Sequence, residues 1–304
     1  MFKQVTIIGF GLLGSSIARA MRQHNQAQTI ICADVSREVC EKVQRLGLAD
    51  KVSTDLGNAV KGSDLVILAV PVGVMGAVAE KIAPHLQDDA IVTDTGSVKM
   101  DVIRQVQDKL PARVHFIPSH PIAGTEHSGP EAGFAELFIG RWWIITPMAH
   151  SDVRAVEKLT KLYESFGSNI EIMEAGHHDL VLGLTSHLPT LIAFTIVGTA
   201  TELEDDLKSE VIKFSASGFR DFTRLAAQDP TMWRDVMMSN KDAVLELLQR
   251  FTEDLNAMQK AIRKGEGDFL YQSFDSTRNI RREVIEAGQA EYVYPNKSPG
   301  SRQA

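Results

Sequence analysis

Residues 5–14, VTIIGFGLLG, constrain the chain more than any other stretch. An apolar strand, Val5 to Ile8, runs into Gly9-Phe10-Gly11-Leu12-Leu13-Gly14, and a helix is predicted from about Leu12 to Gln23. In that strand–turn–helix setting, G-x-G-x-x-G is a dinucleotide-binding fingerprint. Gly9 permits the tight turn, Gly11 lets a pyrophosphate approach the backbone, and Gly14 lets the helix pack close to the strand. The N–H groups at the helix start offer partial positive charge to the phosphates. The next predicted strand, Thr29 to Ala33, ends at Asp34, 20 positions beyond Gly14. A carboxylate there binds the ribose hydroxyls of NAD and repels the 2′-phosphate of NADP. Arg37 could serve that phosphate, so NAD is expected and NADP is the lesser alternative.

The β–α alternation continues. Asp64 to Val70, Ala90 to Asp94 and Val114 to Ile117 read as strands, as do Trp142 to Thr146 and Ile170 to Met173. Helices are expected up to Ala83, over Met100 to Lys109 and over Asp152 to Phe166. DLVILAV is nearly continuous in apolar residues, as a parallel strand covered on both faces would be. The pattern predicts an α/β fold: a Rossmann, doubly wound, mostly parallel sheet, with ligands at the carboxyl ends of its strands. Three polar loops fall at such ends: Val70-Pro71-Val72-Gly73, Thr95 to Lys99, and SHPIAGTEHSG, residues 119–129. Val70 and Pro71 join Gly9 to Gly14, Asp34 and Ser97 as expected cofactor contacts.

After His177 the alternation stops. Leu180 to Leu188, Pro189 to Leu203, Asp221 to Ala227 and Pro230 to Asn240 read as helices, followed by Lys241 to Lys264 and Gly267 to Glu286. Val244, Leu247, Leu248, Phe251, Leu255, Met258 and Ile262 recur at helical spacing. Such a stripe serves either an all-α dimerisation domain or an internal core. The expected division is a nucleotide-binding domain over 1–175, a helical substrate and dimerisation domain over 176–290, and a disordered polar tail over 291–304.

The net charge of −7 argues against a general nucleic-acid or anionic-membrane surface. No apolar run of membrane-spanning length and no signal peptide is read in the sequence. Two cysteines without C-x-x-C spacing fit a reduced, cytoplasmic protein.

Few residues carry candidate chemistry. His120 suits the base that an alcohol dehydrogenation needs, or simply braces a loop. Ser97 either bonds a substrate hydroxyl or caps the following helix. His177, His178, Asp179 and His187 lack metal-ligand spacing, so no metal is expected, and His187 reads as a satisfied core histidine. Among Arg220, Arg224 and Arg234, one guanidinium could clamp a carboxylate, and surface solvation explains at least two.

Taken together, GFGLLGSS, TDTGSVK, SHPIAGTEHSG, TSHLP and GFRDFTRLA with DPTMWRDV resemble the prephenate/arogenate (cyclohexadienyl) dehydrogenases of tyrosine biosynthesis, over residues 4 to 265. The resemblance implies a homodimeric NAD-dependent oxidoreductase that converts prephenate to 4-hydroxyphenylpyruvate and CO2, with arogenate as an alternative or sole substrate. It implies that His120 accepts the proton of the ring hydroxyl and that Ser97 orients that hydroxyl. It makes His187 a substrate-pocket residue, Arg224 the partner of a substrate carboxylate, and Thr125 and Glu126 pocket wall. Trp233 matches a pocket aromatic that a partner subunit can contribute. Neither a mutase nor a regulatory domain of some family members is expected in this chain. Two rival readings were weighed: a β-hydroxyacid dehydrogenase, which leaves SHPIAGTE and the arginine segment unexplained, and a non-catalytic NAD-binding sensor, which leaves His120, Ser97 and Arg224 without a purpose.

Overall fold

The strand at Phe2–Ile8 (β1) exposes Lys3, then buries four residues in a row from Val5 to Ile8. A strand buried on both faces lies inside a layered sheet, and Leu65–Leu68 (β4), LVIL, is buried at all four positions. Ala27–Ala33 (β2), Lys51–Ser53 (β3), Ile91–Asp94 (β5) and His115–Ile117 (β6) complete a sheet of order β3-β2-β1-β4-β5-β6, parallel throughout. Each fully buried Ile or Leu here, such as Ile7 or Leu65, contributes about 1.5–3 kcal/mol by leaving water. The structure is a computed structural model and describes residues 1–125, 127–201, 213–214 and 216–286.

The order of the strands reverses beside β1. Crossovers step outward through β2 and β3 on one side and through β4, β5 and β6 on the other, which opens a crevice at the carboxyl ends of β1 and β4. The helix Leu12–Gln23 (α1) starts there. Gly9 has φ +90°, the left-handed region that glycine enters without strain. A Cβ on Gly14 would sit 2.0 Å from the Gly9 carbonyl oxygen, so α1 packs on its own turn as closely as only glycine permits.

Three expectations are corrected. SHPIAGTEHSG does not begin as a loop. Ser119–Pro121 (β7) is a strand, antiparallel to Trp142–Ile145 (β8), which pairs in parallel with Asn169–Ile172 (β9). These three strands form a second sheet. The proline sits on its edge, where a missing N–H costs little. The second sheet's core is aromatic: Trp143 stacks on Tyr163 at 3.7 Å between ring centroids. Tyr163 belongs to the helix Val153–Ser165, whose Asp152 cap accepts from the Ala155 N–H at 2.9 Å.

The helical part also begins earlier than expected, at Ala175 rather than Leu180. Glu174 caps Ala175–Leu182 by accepting from the His177 N–H at 2.9 Å. The chain continues through a π-helical turn, Gly183–His187, into Leu188–Thr201. This run, Ala175–Ala200, is long and apolar enough by composition to cross a membrane, contrary to the sequence expectation. It nevertheless carries His178, Asp179 and His187 as buried polar groups, each hydrogen-bonded within the fold. Ser217–Thr223, a 3₁₀ turn Arg224–Ala227 and Pro230–Ser239 follow.

The chain divides into two compact units, Met1–Val244 and Leu245 onward. The helix Lys241–Lys264, which belongs to the second unit from Leu245, ends at Gly265, with φ +71°. There the Glu266 N–H returns to the Ala261 carbonyl, a glycine-dependent C-cap, before the helix Gly267–Glu286 begins. Leu255, Ile262, Phe269, Tyr271, Phe274 and Ile280 are exposed in this unit, an apolar surface that a single chain leaves uncovered. The tail expected over 291–304 lies outside the described residues.

Gly14→Ala places a methyl group against the Gly9 carbonyl. It is expected to lower the unfolding free energy by about 1–3 kcal/mol and to weaken dinucleotide binding about tenfold. Urea denaturation and NADH fluorescence titration check the two effects.

Candidate active site

The crevice has the features a dinucleotide needs. Nothing lies within 4 Å of a Cβ built on Gly11, so the turn is open on its ligand side. Val70 borders Gly9, 2.8 Å from where a Cβ would stand, and brings the end of β4 to the glycine turn. Asp34 is fixed by two backbone donors, Phe10 N–H at 3.1 Å and Ser36 N–H at 2.9 Å. Phe10 itself is core, so it contributes the turn and the placement of Asp34 rather than a side-chain contact. Leu12 and Leu13 are half-buried at the start of α1, and Pro71 is exposed at the rim. Arg37, the residue that could favour a 2′-phosphate, pairs instead with Glu41 at 3.1 Å. Asp34, held facing the glycine turn, fits a ribose bearing free hydroxyls.

His120 stands in β7, opposite Ile144, and is only 9% exposed. Its mount is polar and buried. The Ser119 hydroxyl donates to the Asp94 carbonyl at 2.8 Å and accepts from the Trp143 indole at 3.1 Å, which ties β7 to both sheets. Lys99 is wholly buried, ion-paired with Asp94, and donates to the Ser119 carbonyl at 2.6 Å. Burial pushes the Lys99 ammonium below its ordinary value, against the pull of Asp94. His120 Nδ1 lies 2.9 Å from His178 Nε2, and His178 Nδ1 lies 2.8 Å from Asp179 Oδ1. Asp179 also accepts the backbone N–H of Lys99 at 2.7 Å and of Met100 at 2.8 Å. Burial holds His120 well below the ordinary histidine value, and His178, Lys99 and His187 push it further down. It is therefore a neutral imidazole at pH 7, a base with its lone pair available.

A cavity of about 280 Å³ is lined by Gly124, Thr125, Thr185, Ser186, Thr190, Arg224, Leu225, Gln228 and Trp233. The three arginines separate here. Arg220 faces Asp221 and Arg234 pairs with Asp235, whereas Arg224 lines the cavity and makes no ion pair among the described residues. Trp233 lines the cavity of its own chain and donates to Gln228 at 3.1 Å, with the His187 ring edge-on at 6.1 Å between centroids. His187 is fully buried, and its Nδ1 meets Asn240 at 3.0 Å. Asn240 in turn donates to the Asp179 carbonyl at 2.8 Å, so the two histidine groups are linked.

Thr125, Arg224 and Trp233 are thus brought to one cavity; His120 and His187, which do not line it, are joined to each other through His178, Asp179 and Asn240. Ser97 does not cap its helix. The cap is Asp179, from 80 residues away, and the Ser97 backbone adjoins the His187 ring. Glu126 lies outside the described residues. His178 and Asp179 were read from the sequence only as metal-ligand candidates. His177 is exposed and His178 buried, as neighbours 100° apart on a helix must diverge. Among the described residues no group of three or more His, Cys, Asp or Glu side chains is placed to hold a metal ion. The missed signal was a His-Asp pair inside an otherwise apolar run, where burial requires partners.

A Rossmann sheet with an open glycine turn, a neutral buried imidazole and a cavity whose guanidinium makes no ion pair among the described residues fit a dinucleotide-dependent oxidoreductase. Comparison with known proteins makes the assignment specific. The family described as prephenate dehydrogenase, nucleotide-binding domain, matches residues 17–172, and its dimerisation domain matches residues 174–276. A cyclohexadienyl dehydrogenase of Zymomonas mobilis is 43% identical over 92% of this chain and 96% of its own. Prephenate dehydrogenase of Aquifex aeolicus, solved with hydroxyphenyl propionate and NAD+, superposes with a TM-score of 0.87 at 32% identity, covering 93% of this chain and 99% of that one. Synechocystis arogenate dehydrogenase superposes at 0.78 with 26% identity, covering 92% and 99%. The chain belongs to the prephenate dehydrogenase family.

The buried histidines make stability pH-dependent with a defined sign. Burial lowers His187 to about 4, with Asp179 opposing, against about 6.5 in an unfolded chain. Between those values the unfolded state binds more protons, so stability is complete above about pH 6.5 and falls as pH drops. His187 alone is expected to withdraw about 2 kcal/mol between pH 7 and pH 5. Urea midpoints across that range should show the decline, with a visibly flatter slope in His187→Gln.

Proposed function

We propose that this chain oxidises prephenate with NAD+ to 4-hydroxyphenylpyruvate and CO2, and that it also accepts arogenate. The observation that carries this reading is the pairing of a neutral buried base, His120, with a cavity lined from the same segment by Gly124 and Thr125, in which Arg224 makes no ion pair among the described residues. When bound, the dinucleotide supplies the hydride acceptor, and Gly9 to Gly14, Asp34, Val70, Pro71 and Ser97 would hold it. NAD+ is favoured over NADP+ by Asp34. The A. aeolicus relative, solved with NAD+ and hydroxyphenyl propionate, supports both halves of the reading: a phenol carrying a carboxylate resembles the proposed product.

Prephenate carries two carboxylates and a ring alcohol. His120 takes the hydroxyl proton as the carbinol carbon loses hydride. The ring carboxylate then leaves as CO2, and its bonding pair completes the aromatic ring while the oxygen becomes a phenolate. That oxygen recovers the proton from His120, so the base ends each cycle as it began. Arg224 pairs with a carboxylate and fixes the substrate's orientation. Arogenate differs by an amino group in place of the side-chain keto oxygen. The hydroxyls of Thr125 and Ser186 can pair with either, whereas Thr185 and Thr190 donate to the Val181 and Ser186 carbonyls and are left to accept from the amino group, which supports dual acceptance.

We further infer a cytoplasmic homodimer, with the nucleotide-binding domain over 1–175 and the helical domain over 176–290. The exposed apolar surface of Leu245 onward and the match to a dimerisation domain support it.

The deciding assay follows NADH or NADPH formation with prephenate and arogenate, each with NAD+ and NADP+. Turnover is expected with NAD+ and prephenate, and silence in all four would favour the sensor reading. His120→Asn should spare NAD+ binding while kcat falls about 10²–10⁴-fold. Arg224→Ala should raise KM for prephenate more than it lowers kcat, because it removes a binding contact rather than the base.

A further inference from the structure

The tautomers of His120 and His178 follow from what Asp179 can accept. Both carboxylate oxygens of Asp179 take backbone N–H donors, Lys99 on Oδ1 and Met100 on Oδ2, so the group offers acceptors only. His178 Nδ1, 2.8 Å from Oδ1, must then carry the hydrogen and donate. A neutral imidazole has one N–H, so His178 Nε2 is a lone pair. His120 Nδ1, 2.9 Å away, must donate into it. The hydrogen of His120 is thereby committed to Nδ1, and Nε2 is left as the proton acceptor.

We propose that His178 and Asp179 are positioning residues for the dehydrogenation, holding His120 in the tautomer whose Nε2 is free to take the substrate proton. The proposal rests on the function inferred above, but its geometry does not. The same line also gives the captured proton a place to go. A charge on His120 would face Lys99, His178 and His187, all unfavourable to it. If the Nδ1 hydrogen shifts to His178 Nε2, the charge comes to rest on His178, whose Nδ1–H is held by the Asp179 carboxylate. Burial and Lys99 lower His178 too, but the Asp179 hydrogen bond and the charges of Asp179 and Asp94 oppose them, an offset that His120 lacks. No atom is gained or lost: one proton enters at His120 Nε2 and returns by the same nitrogen.

Two measurements test this. Long-range ¹H–¹⁵N spectra of the full chain, with His120 assigned by its disappearance in His120→Asn, should show His120 protonated at Nδ1 and bare at Nε2. A hydrogen on Nε2 instead would overturn the proposal, whatever the substrate. Kinetically, His178→Gln keeps both functions, since its amide oxygen can accept from His120 while its NH2 donates to Asp179. His178→Met keeps the bulk and neither function. With prephenate and NAD+, the Met variant should lose on the order of 100-fold in kcat at nearly unchanged KM. The Gln variant should stay within about tenfold of wild type. Equal kcat values for the two variants, high or low, would overturn the positioning role. Should either variant unfold, the wild-type spectrum still decides. If wild type turns over neither substrate, the functional reading fails while the spectrum still rules on the tautomer.

Discussion

The carboxylate of Asp179 is where the two halves of the site meet. It arrives on the first helix of the helical region and closes the open N-terminus of the helix Met100–Val106, which no nearby side chain caps. A helix start leaves N–H groups without partners, and leaving them buried and unmet costs more than a hydrogen bond is ordinarily worth. One side chain settles two of these donors and takes a third from His178. The loop after β5 and the helix Ala175–Leu182 are thereby held in register, and the histidine pair is held with them. A shift of either element would break the Lys99 and Met100 bonds together, while the His178–Asp179 bond, internal to one helix, would move with it.

His120 depends on a second buried assembly. Asp94, Lys99, Ser119 and Trp143 bind the end of β5, the following loop and both sheets around one strand of three residues. A buried ion pair is poor evidence of stability by itself, because desolvation offsets much of the attraction. Here its geometric effect is plain. Lys99 reaches the Ser119 carbonyl, next to His120, from the same loop that carries Ser97. The proposed base and the loop expected to touch the cofactor therefore share a foundation.

The glycine fingerprint, the parallel sheet and the long helices were legible in the sequence, because each rests on local pattern: Gly9, Gly11 and Gly14 on backbone room, Leu65–Leu68 on burial from both sides. Ser119–Pro121 was not legible. Three residues containing a proline and a histidine have no strand periodicity, and only pairing with Trp142–Ile145 makes them a strand. The helix start at Ala175 was missed because Glu174 caps a sequence whose first turn, Ala-Gly-His-His, has weak helical character. His120, Ser97 and Arg224 became candidates from residue type and loop position. The links His120–His178–Asp179 and His187–Asn240 join positions 53 to 58 residues apart, or sit beside each other for another purpose, and no spacing rule reaches them.

A buried base raises a problem of driving force. Holding His120 neutral guarantees its lone pair at pH 7, but the same depression makes it a weak acceptor. In an ordinary alcohol oxidation that would be a poor trade, since the proton must be held until the product leaves. In the proposed reaction the proton is only lent. The oxygen that gives it up becomes a phenolate as CO2 departs, and a phenolate is far more basic than a depressed imidazole. The site needs an acceptor that works briefly and releases readily. A histidine kept neutral by burial, with a second histidine backed by a carboxylate to share the charge, meets that requirement better than a strongly basic group, which would hold the proton and stall the return.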